Sequence, residues 1–441
     1  MRAATIRLVQ ANTANKASRF VARIDAASLP AGFAVASTNA GIKQAISPTP
    51  IPPSSKPDLA LISSVVPASV AGTFTTNAFR AAPVEHSLDI LRRSAAPRAE
   101  GVLVNSGCAN AVTGEQGIKN TQLLVDSAKE LLGRSGDLLM LSTGVIGVQL
   151  PSQAMLSALP KLVPGSNTPE AWSEVARAFM TTDTFPKLRA RSFLLGNREC
   201  KIAAISKGAG MIHPHMTSPG LHATMLGIFA TDAPIAPKAL QECLDAAVRV
   251  SFNCISVDGD MSTNDTVLAL ANGQAKTVDG GEIIAPGTEI NETNHPALLD
   301  RFREELTSLC LEMAHLIVRD GEGATKFIEV RVRGAPTFDA ARTIGASIST
   351  SALVKTALHG ADANWGRILC AAGYASTPND WQIDPMRVSV SFSSSAGSLT
   401  ALVDGTPQQV DEDLAAKILA EEDIVLDIDL RGGTRATGPV T

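Results

Sequence analysis

Apolar positions recur along this chain with two different periods. Short β-branched runs at Val102–Val104, Ile202–Ile205, Phe327–Val332, Val388–Phe392 and Ile424–Leu430 read as strands, most of them bounded by Gly, Asn or Asp. Helical spacing predicts helices over Thr121–Leu132, Pro169–Met180, Pro237–Val250, Ala297–Val318, Ser349–Leu358 and Glu412–Leu419, several opened by Asp, Ser, Thr or Pro. The two kinds of segment mix without strict alternation, which predicts a layered α+β or α/β architecture in preference to a barrel or a bundle. The Pro-rich stretch Ser47–Pro57 cannot form regular structure and reads as an exposed connection. No fixed-period repeat is present, so a solenoid is not supported.

Length and charge narrow the function classes. At about 150 residues per domain, 441 residues allow two or three domains and a core that needs no disulfide or metal staple. The 38 Lys and Arg stand against 43 Asp and Glu, a net charge of -5 with no basic block beyond the N-terminus, which leaves no footprint for a nucleic-acid partner. Aromatic residues at 4% disfavour base stacking. The apolar stretches stop short of the roughly 18 to 20 residues that a membrane-spanning helix needs, so no membrane partner is expected. Cys108, Cys200, Cys243, Cys254, Cys310 and Cys370 lie far apart without a C-x-x-C pair, which argues against a zinc ribbon and fits a reducing compartment.

The N-terminal segment has its own chemistry. Arg2, Arg7, Lys16, Arg19 and Arg23 precede the first carboxylate, Asp25, with Ala, Ser, Thr and Asn between them. A disordered basic tail has the same composition, but the hydroxylated, acid-free character is that of an organellar transit peptide, most simply a mitochondrial one over residues 1–24.

Several familiar motifs fail on inspection. Gly208-Ala209-Gly210 lacks the third spaced Gly of a dinucleotide fingerprint, and Asp320–Lys326 lacks the Gly-Lys-Ser/Thr end of a P-loop. Thr263 stands where the calcium loop begun by Asp258-Gly259-Asp260 would need Gly, and no G-x-S-x-G elbow offers a nucleophilic serine. His213, His215 and His222 come close together without companion ligands, so they read as solvated or core histidines, and no metal is expected. Thr224, ahead of an apolar run, is by itself a strand-leading or capping residue.

A set of ordered blocks changes that reading. They comprise Leu29–Phe33 with Ala40–Lys43, Phe74–Asn77 with Ala81–Val84, Asn105–Ala111, Ser142–Gly147, Thr181–Thr184, Lys207–Pro214, Ala223–Asp232, Val257–Thr266, Asp320–Lys326 and Asp362–Ile368. Together they resemble the ornithine acetyltransferase family, also called glutamate N-acetyltransferase, over most of the chain from Leu29 to Gly433.

The resemblance implies a layered α/β/β/α sandwich of the N-terminal-nucleophile type, with two antiparallel sheets between helices, over residues 25–330. It adds a smaller α+β domain over 331–441. It also implies self-cleavage between Ala223 and Thr224, giving fragments 25–223 and 224–441 that pair into an α2β2 heterotetramer. The freed Thr224 would be the nucleophile, its own α-amine, with a reference pKa of about 7.7 to 8.0, serving as the base. No His or Asp partner is then required. By the same resemblance Thr143 and Gly144 form the oxyanion hole, and Thr181, Lys207, Thr224 and Glu322 bind substrate.

The implied reaction moves an acetyl group from N2-acetylornithine to glutamate by a ping-pong route, in the mitochondrial matrix and without a cofactor. Some family members also accept acetyl-CoA as donor, the organellar type often among them. Two features differ from the family pattern: roughly six further residues, within Met216–His222, precede Ala223, and Arg435–Thr441 contains no match for a substrate-binding Asn and Thr block. Two alternatives stay open at this level. One is an amidohydrolase or aminopeptidase using the same N-terminal Thr; the other is an uncleaved binding protein that keeps the pocket without catalysis.

Overall fold

The computed structural model describes residues 16–214, 216, 225–377, 381–431 and 436–440. They divide into two units, one built from residues up to Asn253 together with Met261–Asp320, the other from Cys254–Asp260 with the residues from Gly321 onward.

The first unit begins with β1 (Phe33–Thr38), α1 (Ile42–Ile46), β2 (Leu59–Phe74), α2 (Ala82–Arg92) and β3 (Arg98–Cys108). It continues with α3 (Gly114–Leu132), β4 (Leu138–Val145), α4 (Ser152–Ala158), α5 (Pro169–Phe179), β5 (Lys187–Leu195) and β6 (Arg198–Lys207). After these come β7 (Leu226–Thr231), α6 (Pro237–Val250), β8 (Thr266–Ala271), β9 (Lys276–Thr277) and α7 (Pro296–Arg319).

These strands form one nine-stranded sheet in the order β4-β3-β2-β8-β7-β6-β5, with β1 on β2 and β9 on β6. The expected two β layers are therefore halves of a single curled sheet, and the pairs β3·β4 and β7·β8 are parallel. Strand β2 makes the turn between halves. Its first part pairs with β1 and its second with β8, while its register against β3 shifts between Ser63 and Ala68. Pro67 lies in that gap and has no N–H to give to a ladder, so the strand bends there and changes partner. Gly101 opposes Ser63, and a Cβ at Gly101 would meet the Ile62 carbonyl oxygen at 2.2 Å, so the bend is packed backbone to backbone.

The alternation of side chains across the strands sorts the core into layers. Ile62, Val102, Val104, Leu139 and Leu141 of one half face Ala203, Ile205, Ile228, Ala230, Leu268 and Leu270 of the other, with Trp172, Val175 and Phe179 of α5 packed among them. On the outer face of the first half, Leu61, Leu103, Leu138 and Met140 pack with Leu124, Val125, Ala128 and Met155 from α3 and α4. Helices α6 and α7 pack on one another, and α7 on β5 and β6, completing the α/β/β/α layering.

The second unit contains β10 (Phe327–Ala335), α8 (Phe338–Thr350), α9 (Ala352–His359), α10 (Trp365–Gly373) and β11 (Ser389–Ser394). It ends with β12 (Gly397–Val403), β13 (Thr406–Pro407), α11 (Glu412–Ala420), β14 (Asp423–Asp429) and β15 (Ala436–Val440). Its sheet has the order β13-β12-β11-β14-β10-β15. Ile424, Leu426 and Ile428 alternate inward along β14 onto Ile344 and Ile348 of α8, an α+β arrangement with its own core.

Candidate active site

The corner that carries Thr143 and Gly144 is set by two parallel strand ends. Ser106 stands opposite Thr143, and Gly107 opposite Gly144. Gly144 adopts φ +130°, and a Cβ there would fall 2.3 Å from the Gly107 carbonyl carbon, so only glycine permits this approach. Side-chain amides hold the corner from behind. Asn264 Nδ2 donates to the carbonyls of Ala109 (2.6 Å) and Ser142 (2.8 Å), and Asn105 Nδ2 donates to the Cys108 carbonyl (2.9 Å). Thr143 is buried, whereas Gly144 lies at the open side.

Lys207 enters this corner from the end of β6. It is 3% exposed, and its Nζ donates to Thr143 Oγ1 at 3.3 Å. An ammonium that donates to the hydroxyl oxygen leaves the hydroxyl hydrogen to point elsewhere, so Thr143 is prepared to be a donor. The next residue ties the strand end down, since Gly208 N donates to Asp183 Oδ1 at 2.7 Å.

Asp183 is the hub of a buried charge network. It also accepts from Thr181 N (3.0 Å) and from Lys187 Nζ (2.8 Å), and Lys187 bridges to Asp320 Oδ2 at 2.6 Å. Thr184 N donates to the same carboxylate at 2.9 Å. Burial alone would push the Asp183 carboxyl up, but the ammonium groups of Lys187 and Lys207 and its hydrogen bonds overcome this and hold it well below the usual carboxylate range. Half-buried Lys56 faces Asp183 too, and burial lowers its own pKa.

The strand that follows the predicted cleavage position is anchored to the same corner. Leu226 pairs with Lys207 across β6·β7 and with Thr266 across β7·β8, and Thr266 N donates to the Met225 carbonyl at 2.9 Å. Asn264 and Thr266, two residues apart, therefore connect the peptide before Thr143 to the residue directly after Thr224. Between them stands Asp265, fully buried, its backbone carbonyl accepting from Thr75 N at 3.0 Å.

Of the residues singled out from sequence, Thr143, Gly144, Thr181 and Lys207 come together in the first unit. Ala223 and Thr224 lie outside the described residues, as do His215 and His222. Glu322 belongs to the second unit and is exposed. Among the described residues no group of three His, Cys, Asp or Glu side chains could hold a metal ion, no helix is long and apolar enough to cross a membrane, and the six cysteines are free thiols. Sequence reasoning missed Asp183, Lys187, Asn264, Asp265 and Asp320 as site residues. Four of them sit inside the quoted blocks, which was the available signal, and Lys187 lies three positions beyond one.

The first unit is an α/β/β/α sandwich in which Thr143, Gly144 and the buried Lys207 meet at one corner, beside the strand that starts at Leu226. The chain belongs to the ArgJ family, whose model matches residues 34–440. The arginine biosynthesis bifunctional protein ArgJ, mitochondrial, of Malassezia globosa is 54% identical over 470 residues, covering 96% of this chain and 92% of that protein. Its namesake in Cryptococcus neoformans is 48% identical, covering 92% and 86%. A crystal structure of ArgJ from Bacillus halodurans is 35% identical, covering 47% of this chain and 89% of that one, with a TM-score of 0.40. Ornithine acetyltransferase from Mycobacterium tuberculosis, complexed with ornithine, is 30% identical with a TM-score of 0.36, covering 43% and 94%.

Proposed function

We propose that this protein is a mitochondrial acetyltransferase of arginine biosynthesis that cleaves itself between Ala223 and Thr224 and moves an acetyl group from N2-acetylornithine to glutamate. Family membership and the mitochondrial ArgJ relatives support the general reading. The observation that carries it to a mechanism is the connection of Thr143 and Lys207 to the residue after Thr224, through Asn264 and Thr266.

In this mechanism the Thr224 hydroxyl attacks the acetyl carbonyl while the α-amine of the same residue takes its proton. Thr143 and the Gly144 amide receive the negative charge that builds on the carbonyl oxygen. Collapse breaks the C–N bond, the stored proton goes to the departing ornithine amine, and the acetyl group stays on Thr224 as an ester. Glutamate then enters, its α-amine attacks the ester, and N-acetylglutamate leaves with the hydroxyl restored. Lys207 offers a cation for a substrate carboxylate, and Glu322 an anion for an ammonium group. No cofactor takes part. Acetyl-CoA as a second donor fits the same ester intermediate, and the mature form is an α2β2 assembly of the two fragments in the matrix.

Product analysis tests the reading. Purified enzyme given N2-acetylornithine and glutamate is expected to yield N-acetylglutamate and ornithine in equal amounts. Release of free acetate at the same rate with or without glutamate would replace the transferase by an amidohydrolase.

A further inference from the structure

Thr181 and Lys207, two of the positions read as substrate-binding, come to the site from different places: Thr181 from the loop before β5, Lys207 from the end of β6. One side chain ties them together. Asp183 Oδ2 accepts from Thr181 N at 3.0 Å, and Asp183 Oδ1 accepts from Gly208 N, the residue directly after Lys207, at 2.7 Å. Lys187 Nζ also donates to Oδ1, at 2.8 Å. Both oxygens thus act as acceptors, as an ionised carboxylate can, and against the effect of burial the ammonium groups of Lys187 and Lys207 hold it in that form. The support behind this contact is itself fixed. Lys187 stands opposite Ser206 across β5·β6, its Nζ lies 4.7 Å from the centre of the Phe185 ring, and Asp320 Oδ2 holds it from the other side at 2.6 Å. Asp320 also accepts from Thr184 N at 2.9 Å, so the loop 181–184 is anchored at two points. The side chains of Asp183, Lys187 and Asp320 are fully buried, whereas Thr181 is exposed, so its backbone is fixed without the residue being covered.

We infer that Asp183 is a positioning residue for substrate: its two carboxylate oxygens set the spacing between Thr181 and Lys207, so that both can hold the α-carboxylate common to N2-acetylornithine and glutamate. This role rests on the acetyltransferase reading above. A carboxylate that served stability alone would need only its ion pair with Lys187. Asp183 instead takes one backbone N–H from each of the two segments that carry the substrate-binding positions, and a grip made of two groups on separate segments keeps its geometry only if those segments cannot drift apart.

Steady-state kinetics with both substrates test this. In Asp183→Asn an amide nitrogen replaces one oxygen and faces a donor from which it cannot accept, either Thr181 N or Gly208 N, so one side of the clamp opens. KM is expected to rise about ten-fold or more for N2-acetylornithine and glutamate alike. The change in kcat is expected to be smaller, because Asn264 still holds the peptide before Thr143. Leu124→Ala, a cavity in the layer between α3 and the sheet, is the control for lost stability: its melting temperature is expected to fall while KM stays level. A similar rise of KM in Leu124→Ala would overturn the inference, and so would an unchanged KM in Asp183→Asn. Asp183→Glu decides the question should the Asn chain not fold. It keeps the charge that faces Lys187 but moves the oxygens out by one methylene, so KM is expected to stay raised for both substrates; a normal KM would show that charge alone matters and would overturn the role in spacing. An unaltered chain that transfers no acetyl group and binds neither substrate in calorimetry would overturn the acetyltransferase reading, and this inference with it. Transfer by the unaltered chain with a normal KM in the Asp183 variants would remove the inference alone.

Discussion

Lys207 donates from its buried ammonium to the hydroxyl oxygen of Thr143, 64 positions earlier in the chain, at 3.3 Å. This contact sets which way the Thr143 hydroxyl hydrogen points, and the proposed chemistry depends on that direction. Thr143→Val keeps the shape and removes the donor. It is expected to lower kcat on the order of 10²- to 10³-fold with little change in KM, while Thr143→Ser keeps most of the rate. Steady-state kinetics of both variants check this, and equal losses in the two would contradict a donor role.

Gly144 is expected to tolerate no side chain. A Cβ would lie 2.3 Å from Gly107 backbone at a φ of +130°, so Gly144→Ala must push the ends of β3 and β4 apart. The expected cost is about 1–3 kcal/mol of stability together with most of the activity, measured by denaturant unfolding and by transfer rate. An active, equally stable Ala variant would refute the close approach.

Asn264→Ala leaves the carbonyls of Ala109 and Ser142 buried without their donor. A destabilisation of about 2–4 kcal/mol is expected from losing two such partners, with a drop in kcat because the peptide before Thr143 loses its clamp. Unfolding free energy and kcat measured on the same preparation check this. A loss of stability with kcat intact would separate the clamp from the catalytic corner.

Asp183 supplies a pH-dependent part of the stability. Its folded pKa is depressed, so its contribution is present above the pKa of the unfolded chain, about 3.9, and is lost as pH falls from there toward the folded value. Asp183→Asn leaves Lys187 with Asp320 alone and is expected to cost about 3–5 kcal/mol at pH 7. The difference from the normal chain should shrink below pH 4. Melting curves at pH 7 and pH 3 test the sign, and a difference that grows in acid would reverse it.

Much of the fold could be read from apolar spacing where segments are long and cleanly bounded. The helix expected at Pro237–Val250 has those bounds in the structure, and Ala297–Val318 differs by one residue at each end. Where two helices abut, periodicity ran them together: Ser349–Leu358 is cut at Ser351, whose hydroxyl accepts from Val354 N and starts a new helix. Strand β2 escaped because Pro67 breaks its apolar run, although this proline sits where the strand changes partners. The site was legible only through resemblance. No local spacing brings Asp320 to Lys187 across 133 positions, or Asn264 to Ser142 across 122; sheet order does that. A carboxylate such as Asp265 looks ordinary in sequence because its full burial is a property of the packed interior.

All of the proposed chemistry depends on maturation of the chain into two fragments with Thr224 at the start of the second. Intact mass of the purified protein under denaturing conditions tests it most directly. Two species are expected, one ending at Ala223 and one beginning at Thr224, and a single full-length species after Thr224→Ala. One full-length species from the unaltered chain would contradict it.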